Sequence, residues 1–197
     1  QPVALPQGRW GWVDGRTAVY RPKRFWPGDT TIRFTVNLKG IVVSELDGTR
    51  YEGSKYADFI HEMRIGRKLV LKIRDSKHRL KVSKGGKTVK TFGVSLGKRN
   101  FRTYSGIKVL SDIKYRKLRM VGNDKASQET WDVISPYSMP LTTDGEYIHG
   151  APWARYRIGS ANGSHGCTNM NPEDARWLYN RVREGDPVVT KGTGRSM

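Results

Sequence analysis

The chain's only cysteine, Cys167, stands in the stretch Ser164-His165-Gly166-Cys167-Thr168-Asn169, with His149 upstream of it. A lone cysteine forms no intramolecular disulfide, so the question it raises is reactivity. The thiolate is the attacking form, and an ordinary cysteine ionises only near a pH of about 8.5, so a base or a cation must stand close. Histidines 149 and 165 are candidate proton acceptors, and glycines 163 and 166 let backbone N–H groups approach a substrate. His149 and Cys167 are 18 positions apart, too far for one helix face, so they meet only if the chain returns on itself. The Gly150 carbonyl is the group that could accept the second ring N–H of His149 and set its tautomer. Attack on a carbonyl would create an oxyanion. The N–H groups of His165, Gly166 and Cys167 could converge on it, each preorganised donor being worth roughly 3 kcal/mol of barrier.

Elements that position this stretch are legible on both sides. Asn171-Pro172-Glu173-Asp174 is a helix start, with an Asx cap, proline at the first position and acids in the first turn. Ala175, Leu178, Tyr179 and Val182 follow at helical spacing and Gly185 ends the pattern. Cys167 therefore falls in a glycine-containing loop just before a helix. Upstream the pattern is strand, at 17–20, 31–38, 69–73, 78–82, 88–96 and from 107, with a hairpin turn at Gly85-Gly86. Residues 120–146 show no clear period and read as a long loop leading directly into His149. Trp177 lies off the Ala175/Leu178 stripe and is expected to pack against another element.

The other chemistries fit less well. A buried small hydrophobe is the commoner fate of a lone cysteine. His149, His165 and Cys167 lack the paired spacings of a metal site. A cysteine phosphatase needs arginine six positions after the cysteine, where this chain has Glu173. A redox site normally shows two cysteines.

Thirty-six Lys and Arg against 18 Asp and Glu give a net charge of +18, which calls for an anionic partner. The basic residues are dispersed, and no helix-turn-helix, zinc-finger or RNA-recognition pattern accompanies them. A solvated basic surface accounts for the charge better than nucleic acid. No apolar run approaches the roughly 20 residues of a membrane helix, so a membrane link would come through a segment absent from this chain.

His149-Gly150 followed by Ser164-His165-Gly166-Cys167-Thr168-Asn169 resembles the signature of the L,D-transpeptidases of bacterial cell walls. Tyr147 through Trp153 and Asn171 through Asp186 resemble the subgroup in which immunoglobulin-like domains precede the catalytic domain. The resemblance implies a mainly β protein. A partial immunoglobulin-like β-sandwich unit at 1–55, short of a whole sandwich and read as cut at its start, would lead through a connector at 56–66. An L,D-transpeptidase domain of β-sheets with one late helix would follow at 67–192, with a tail at 193–197. It implies Cys167 as nucleophile, His149 as general base and acid, Gly150 as the carbonyl orienting His149, and His165 and Gly166 as oxyanion amides. Tyr137, Asp144, Gly145, Trp153, Ser164 and Asn169 would contact the donor stem or support the loop, and residues 120–146 would form a flap. Two departures stand out: glycine at 150, where the subgroup commonly has serine, and Thr103-Tyr104-Ser105-Gly106, where the family often has Thr-Pro. The second is expected to alter a turn rather than the chemistry. No cofactor or metal is implied. The expected partners are peptidoglycan stem peptides and β-lactam inhibitors, in an extracytoplasmic cell-wall location. Hydrolysis with water as acceptor, and a wall-binding module without chemistry, are the alternatives.

Overall fold

Alternating apolar residues become sheet in both compact units of the chain, Gln1–Arg67 and Lys68–Met197. The computed structural model describes residues 6–15, 17–54, 59–124 and 128–197. The start of the expected connector, at 56–58, and positions 125–127 of the expected flap lie outside the described residues.

The first unit contains three two-stranded ladders. Strands β1 (Gly8–Trp12) and β2 (Ala18–Pro22) pair antiparallel, as do β3 (Thr30–Val36) with β6 (Phe59–Ile65) and β4 (Val42–Leu46) with β5 (Thr49–Glu52). Tyr20 packs between Trp10 (5.3 Å between ring centroids) and Trp26 (5.7 Å). Residues 59–65, expected as connector, are thus a strand with Phe59 opposite Val36 and Ile65 opposite Thr30. Phe59 and Ile60 are exposed and polar residues intervene, so the one-sided burial that makes a strand visible in sequence is weak here.

The second unit is built on two sheets. In the larger, the order is β10 (Gly106–Val109), β15 (Pro187–Lys191), β7 (Leu69–Arg74), β8 (Arg79–Lys84), β9 (Lys87–Gly93). Only β15 and β7 run parallel there. Gly85 and Gly86, at φ +57° and +89°, make the tight turn that joins β8 to β9. The smaller sheet orders β11 (Tyr115–Asp124), β12 (Glu129–Pro140), β13 (Tyr147–Gly150) and β14 (Thr168–Met170). Leu71, Ile73, Leu80, Val82, Phe92 and Val188 of the large sheet bury against Met139, Ile148 and Met170 of the small one. Helix α1 (Pro172–Tyr179) adds Ala175 and Leu178 to that core. Each such side chain, fully buried, contributes about 1.5–3 kcal/mol except the alanine.

Two expectations are corrected. Residues 120–146 are not a loop: β11 and β12 form a long antiparallel hairpin, from Tyr115↔Ser138 to Asp124↔Glu129. One face, with Leu118, Met120, Trp131 and Val133, is half-buried, but Val121 and Ile134 stand exposed on the other, so apolar residues on both faces blur the alternation in sequence. The helix pattern runs on to Val182 but the helix ends at Tyr179. The N–H groups of Arg181 and Val182 both turn to Leu178 O (2.9 and 3.0 Å), and Lys114 Nζ draws the carbonyls of Tyr179 (2.8 Å) and Val182 (3.0 Å) outward. The tail at 193–197 is held by contacts: Thr193 is buried, Arg195 Nη1 donates to Arg102 O (3.0 Å), and Met197 N to Ser105 O (3.3 Å). Trp177 packs edge-on against Phe92 of β9 at 5.4 Å.

Candidate active site

The return of the chain that a nucleophile and its base require is made by a parallel pair. β13 and β14 lie side by side with Ile148↔Thr168, His149↔Asn169 and Gly150↔Met170 in register. Side chains alternate across a strand, so His149 and Asn169 share one face, and Cys167 lies in the bend that runs directly into β14.

His149 is 3% exposed and its Nδ1 lies 2.9 Å from Gly150 O. That carbonyl only accepts, so Nδ1 carries the proton and Nε2 keeps its lone pair. Burial pulls the imidazole down to about 4, against the opposing bond to Gly150, so the ring is neutral at pH 7. The Trp153 ring, tilted by 32° at 5.9 Å, covers it, with 42% of Trp153 exposed.

Cys167 is half-buried, with its thiol directed at Gly145 O at 3.7 Å. Although part of the residue reaches solvent, burial of the sulfur pushes the thiol up to about 11; the Tyr147 N–H opposes this, the charge of Glu146 adds to it, and that of Lys108 opposes it. The resting pair is therefore neutral thiol and neutral imidazole, which is the state for proton transfer during attack rather than before it.

The loop that presents the thiol is strapped at several points. Ser164 Oγ donates to Cys167 O (2.6 Å) and accepts from Gly166 N (3.1 Å). Thr103 Oγ1 donates to Gly166 O (2.7 Å) and accepts from Gly97 N (3.0 Å). The N–H groups of Gly163 and Ser164 both reach Leu96 O. Gly166 sits at φ +124°, which only glycine adopts without strain. The Gly166 amide, one of three expected oxyanion donors, is thereby engaged by Ser164. The amides of His165 and Cys167 remain as the other two.

The remaining expected residues divide. Asn169 is buried, exchanges backbone bonds with Ser95 (2.8 and 3.0 Å), and its Oδ1 has no hydrogen-bond partner among the described residues. Gly145, at φ +99° with open space beside it, and Asp144, whose carboxyl the Thr142 hydroxyl holds below the usual range, form the exposed rim next to the thiol. Tyr137 turns toward the late helix. Its ring stands edge-on to Tyr179 at 5.6 Å and lines a cleft with Pro172, Glu173, Arg176 and Trp177, which neither Cys167 nor His149 touches. His165 is more than an amide: its ring stacks on Trp131 (4.4 Å, 23°), meets Phe101 edge-on (4.8 Å), and places Nε2 2.6 Å from Glu129 Oε2, which also pairs with Lys98. The β11/β12 hairpin is thus tied to the nucleophile loop through β12.

Sequence reasoning passed over three groups. Lys108 and Glu146 form a buried ion pair at 2.6 Å, with side chains 0% and 7% exposed. Glu146 Oε1 also accepts from Tyr104 N (2.7 Å), a bond that proline at 104 would forbid. Ser135 Oγ lies 3.4 Å from Gly150 O and 3.0 Å from Ser138 Oγ. A Cβ on Gly150 would come within 2.9 Å of Pro136 Cγ, so the hydroxyl near this carbonyl comes from across the sheet. The absence of a clear period through 120–146 hid Ser135, and a lysine in a strand reads as solvent-facing until its partner is seen. Among the described residues no group of three or more His, Cys, Asp or Glu side chains is arranged to hold a metal ion.

Two stacked sheets, a parallel pair presenting a buried histidine, and a strapped Ser-His-Gly-Cys loop define the L,D-transpeptidase fold. The chain belongs to that family: the L,D-transpeptidase catalytic domain matches residues 68–190, and a bacterial Ig domain matches residues 4–42. It is 31% identical over 188 residues to L,D-transpeptidase 1 of Mycobacterium tuberculosis, covering 94% of this chain and 67% of that protein. Similarity to L,D-transpeptidase 2 of the same species is 28% over 191 residues, covering 95% of this chain and 45% of that protein. The chain thus spans less than half of one relative and about two thirds of the other. A solved L,D-transpeptidase in complex with imipenem superposes with a TM-score of 0.72 at 28% identity, covering 95% of this chain and 79% of that one. An L,D-transpeptidase from Mycobacterium smegmatis gives 0.71 at 25%, covering 94% and 77%.

Proposed function

We propose that this chain is a peptidoglycan L,D-transpeptidase that cross-links stem peptides through a Cys167 thioester. The observation that carries the reading is a buried, neutral His149, held by the Gly150 carbonyl on a strand paired in parallel with the strand that Cys167 immediately precedes. Cys167 Sγ attacks the carbonyl carbon that follows the L-centre of the donor's diamino acid, and His149 Nε2 takes the thiol proton. The oxyanion that forms is met by the amides of His165 and Cys167. Collapse breaks the C–N bond, the terminal D-alanine leaves with the proton from His149, and the thioester remains. An amine of a second stem attacks the thioester; His149 takes its proton and returns it to the departing sulfur, which regenerates the thiol. Asn169 Oδ1, buried and without a protein partner, is suited to accept an N–H of the donor stem.

Carbapenem-type β-lactams present a strained carbonyl to the same sulfur, and relatives solved with imipenem and with a faropenem-derived adduct support acylation here. The site of action is the cell wall, outside the cytoplasm. Water in place of the amine would give carboxypeptidase or endopeptidase action from the same thioester. The raised thiol pKa favours a second reading, a wall-binding module with an unactivated cysteine. Intact mass after incubation with a carbapenem, beside Cys167→Ala, decides between chemistry and binding. A single adduct on the unmodified protein alone is expected; no adduct, with Cys167 also sluggish toward a small alkylating agent, sinks the enzymatic reading. Stem peptides with and without an acceptor amine then separate cross-linking from hydrolysis.

A further inference from the structure

The face of the five-stranded sheet turned away from the core carries a charge pattern that the acyl-transfer site does not use. Lys72 of β7 stands directly opposite Lys81 of β8, and one rung further Arg74 stands opposite Arg79. On the other side of β7, in parallel register, Lys191 of β15 pairs with Arg74 and Val189 with Lys72. All five basic side chains are exposed. They alternate with Leu71, Ile73, Leu80, Val82 and Val188, which point into the core. Adjacent strands are about 4.8 Å apart and alternate residues along a strand about 6.6 Å, so the five charges fill five places of a three-by-two grid.

Lys72, Arg74, Lys81 and Lys191 have no ion-pair or hydrogen-bond partner among the described residues. Arg79 Nη1 is held by carbonyls, of His78 (3.0 Å) and Gly159 (2.8 Å), which leave its charge uncompensated. The bordering acid, Asp75, accepts from Asn162 Nδ2 at 2.7 Å. Like charges directly opposite each other destabilise a sheet, so the free protein carries a repulsion that a bound polyanion would relieve.

We propose that this face docks a linear polyanion without bases, a phosphodiester-linked polyol of the cell wall, and so holds the enzyme on its substrate layer; the choice of wall polymer rests on the transpeptidase reading. The chemistry of the face selects among polyanions. A flat array of point charges suits a flexible run of phosphates. Single-stranded nucleic acid gains much of its affinity by stacking bases on aromatic side chains, and the outward neighbours of the grid, Val189 and Thr91, offer none.

The test uses the whole chain and three probes: synthetic poly(glycerol phosphate), single-stranded DNA of equal charge, and phosphatidylglycerol vesicles. Binding is measured by titration at several salt concentrations. The triple variant Lys72→Thr/Arg74→Thr/Lys81→Thr should bind poly(glycerol phosphate) at least tenfold more weakly at low salt. Its slope of log K against log salt should be about two to three shallower. The unliganded variant should melt no lower than the parent, because repulsion is removed. A control triple that lowers net charge equally elsewhere, Lys23→Thr/Arg116→Thr/Lys117→Thr, should bind within about threefold of the parent. Equal weakening by both triples, or tighter binding of DNA or vesicles than of polymer, overturns the proposal. Should the triple variant fail to fold, Lys72→Gln/Lys81→Gln removes one rung and must still weaken binding severalfold. Carbapenem adduct formation, read on the same samples, stays at the parent level in the face variants. Loss of polymer binding and failure of the acyl-transfer reading are thus told apart.

Discussion

Removal of His149 separates the two ways in which a cysteine can be made reactive. A preformed thiolate–imidazolium pair would alkylate rapidly at neutral pH and lose that reactivity with the histidine. Here burial holds the thiol near 11 and the imidazole near 4, so at pH 7 about one thiol in ten thousand is ionised. Alkylation of Cys167 by iodoacetamide should therefore climb about tenfold per pH unit from about pH 7 to 10, with no plateau near neutrality. His149→Ala should change that rate at pH 7 by less than about threefold, since no ion pair exists to lose. Carbapenem acylation behaves differently, because the base takes the proton only as the carbonyl is attacked. It should fall by about 10²–10⁴ in His149→Ala, and in the parent it should decline only as pH drops toward 4, where His149 protonates. Both rates come from intact mass against time across a pH series. A neutral-pH plateau in alkylation, or a hundredfold loss of alkylation in His149→Ala, would refute the neutral-pair account.

Other outcomes follow from the same contacts. Unfolded, His149 titrates near 6.5; folded, near 4. The unfolded chain binds more protons between these values, so stability is full above about 6.5 and falls by roughly 3 kcal/mol as pH drops toward 4; urea midpoints at pH 7 and 4.5, with His149→Gln flattening the difference, check this. Lys108→Met leaves the Glu146 carboxylate buried and unpaired and should lose about 3–5 kcal/mol of stability, read by denaturant melts; Lys108→Met/Glu146→Leu should recover much of it. Gly150→Ser places a Cβ 2.9 Å from Pro136 Cγ and 3.1 Å from Pro172 Cα, and should lose about 1–3 kcal/mol. Ser135→Ala removes the hydroxyl beside the Gly150 carbonyl and should slow carbapenem acylation about three- to tenfold, worth close to 1 kcal/mol, with iodoacetamide alkylation unchanged.

What could be read in the chain was local. The Gly85-Gly86 turn, the helix start at Pro172 and the alternation of β7 and β8 each depend on neighbours within a few residues, and the structure has them, although the Asn171 side chain makes no cap bond. Cys167 and His149 stood out because residue type and spacing are themselves chemical statements. What stayed hidden depends on distant partners. The β11/β12 hairpin carries apolar residues on both its half-buried and its exposed face, which hides its period, and β6 shows itself only in its pairing with β3. Lys108 looks like any strand lysine until Glu146, 38 positions on, is seen to close on it. The engagement of the Gly166 amide by Ser164 is a matter of one rotamer, which no pattern of residue types encodes.

The clasp of His165 between Trp131 and Phe101 has a consequence for timing. His165 belongs to the loop that carries the nucleophile, and Trp131 and Glu129 belong to the hairpin, so the cover and the reactive sulfur are mechanically one part. Any movement of the hairpin away from the loop would unstack Trp131 and separate Glu129 from His165, and the loop would lose part of its bracing at that moment. When the hairpin settles back, bracing and substrate enclosure return together. The enzyme would then be least reactive while open to water and most reactive once closed, so an empty, gaping site wastes few acyl intermediates on hydrolysis.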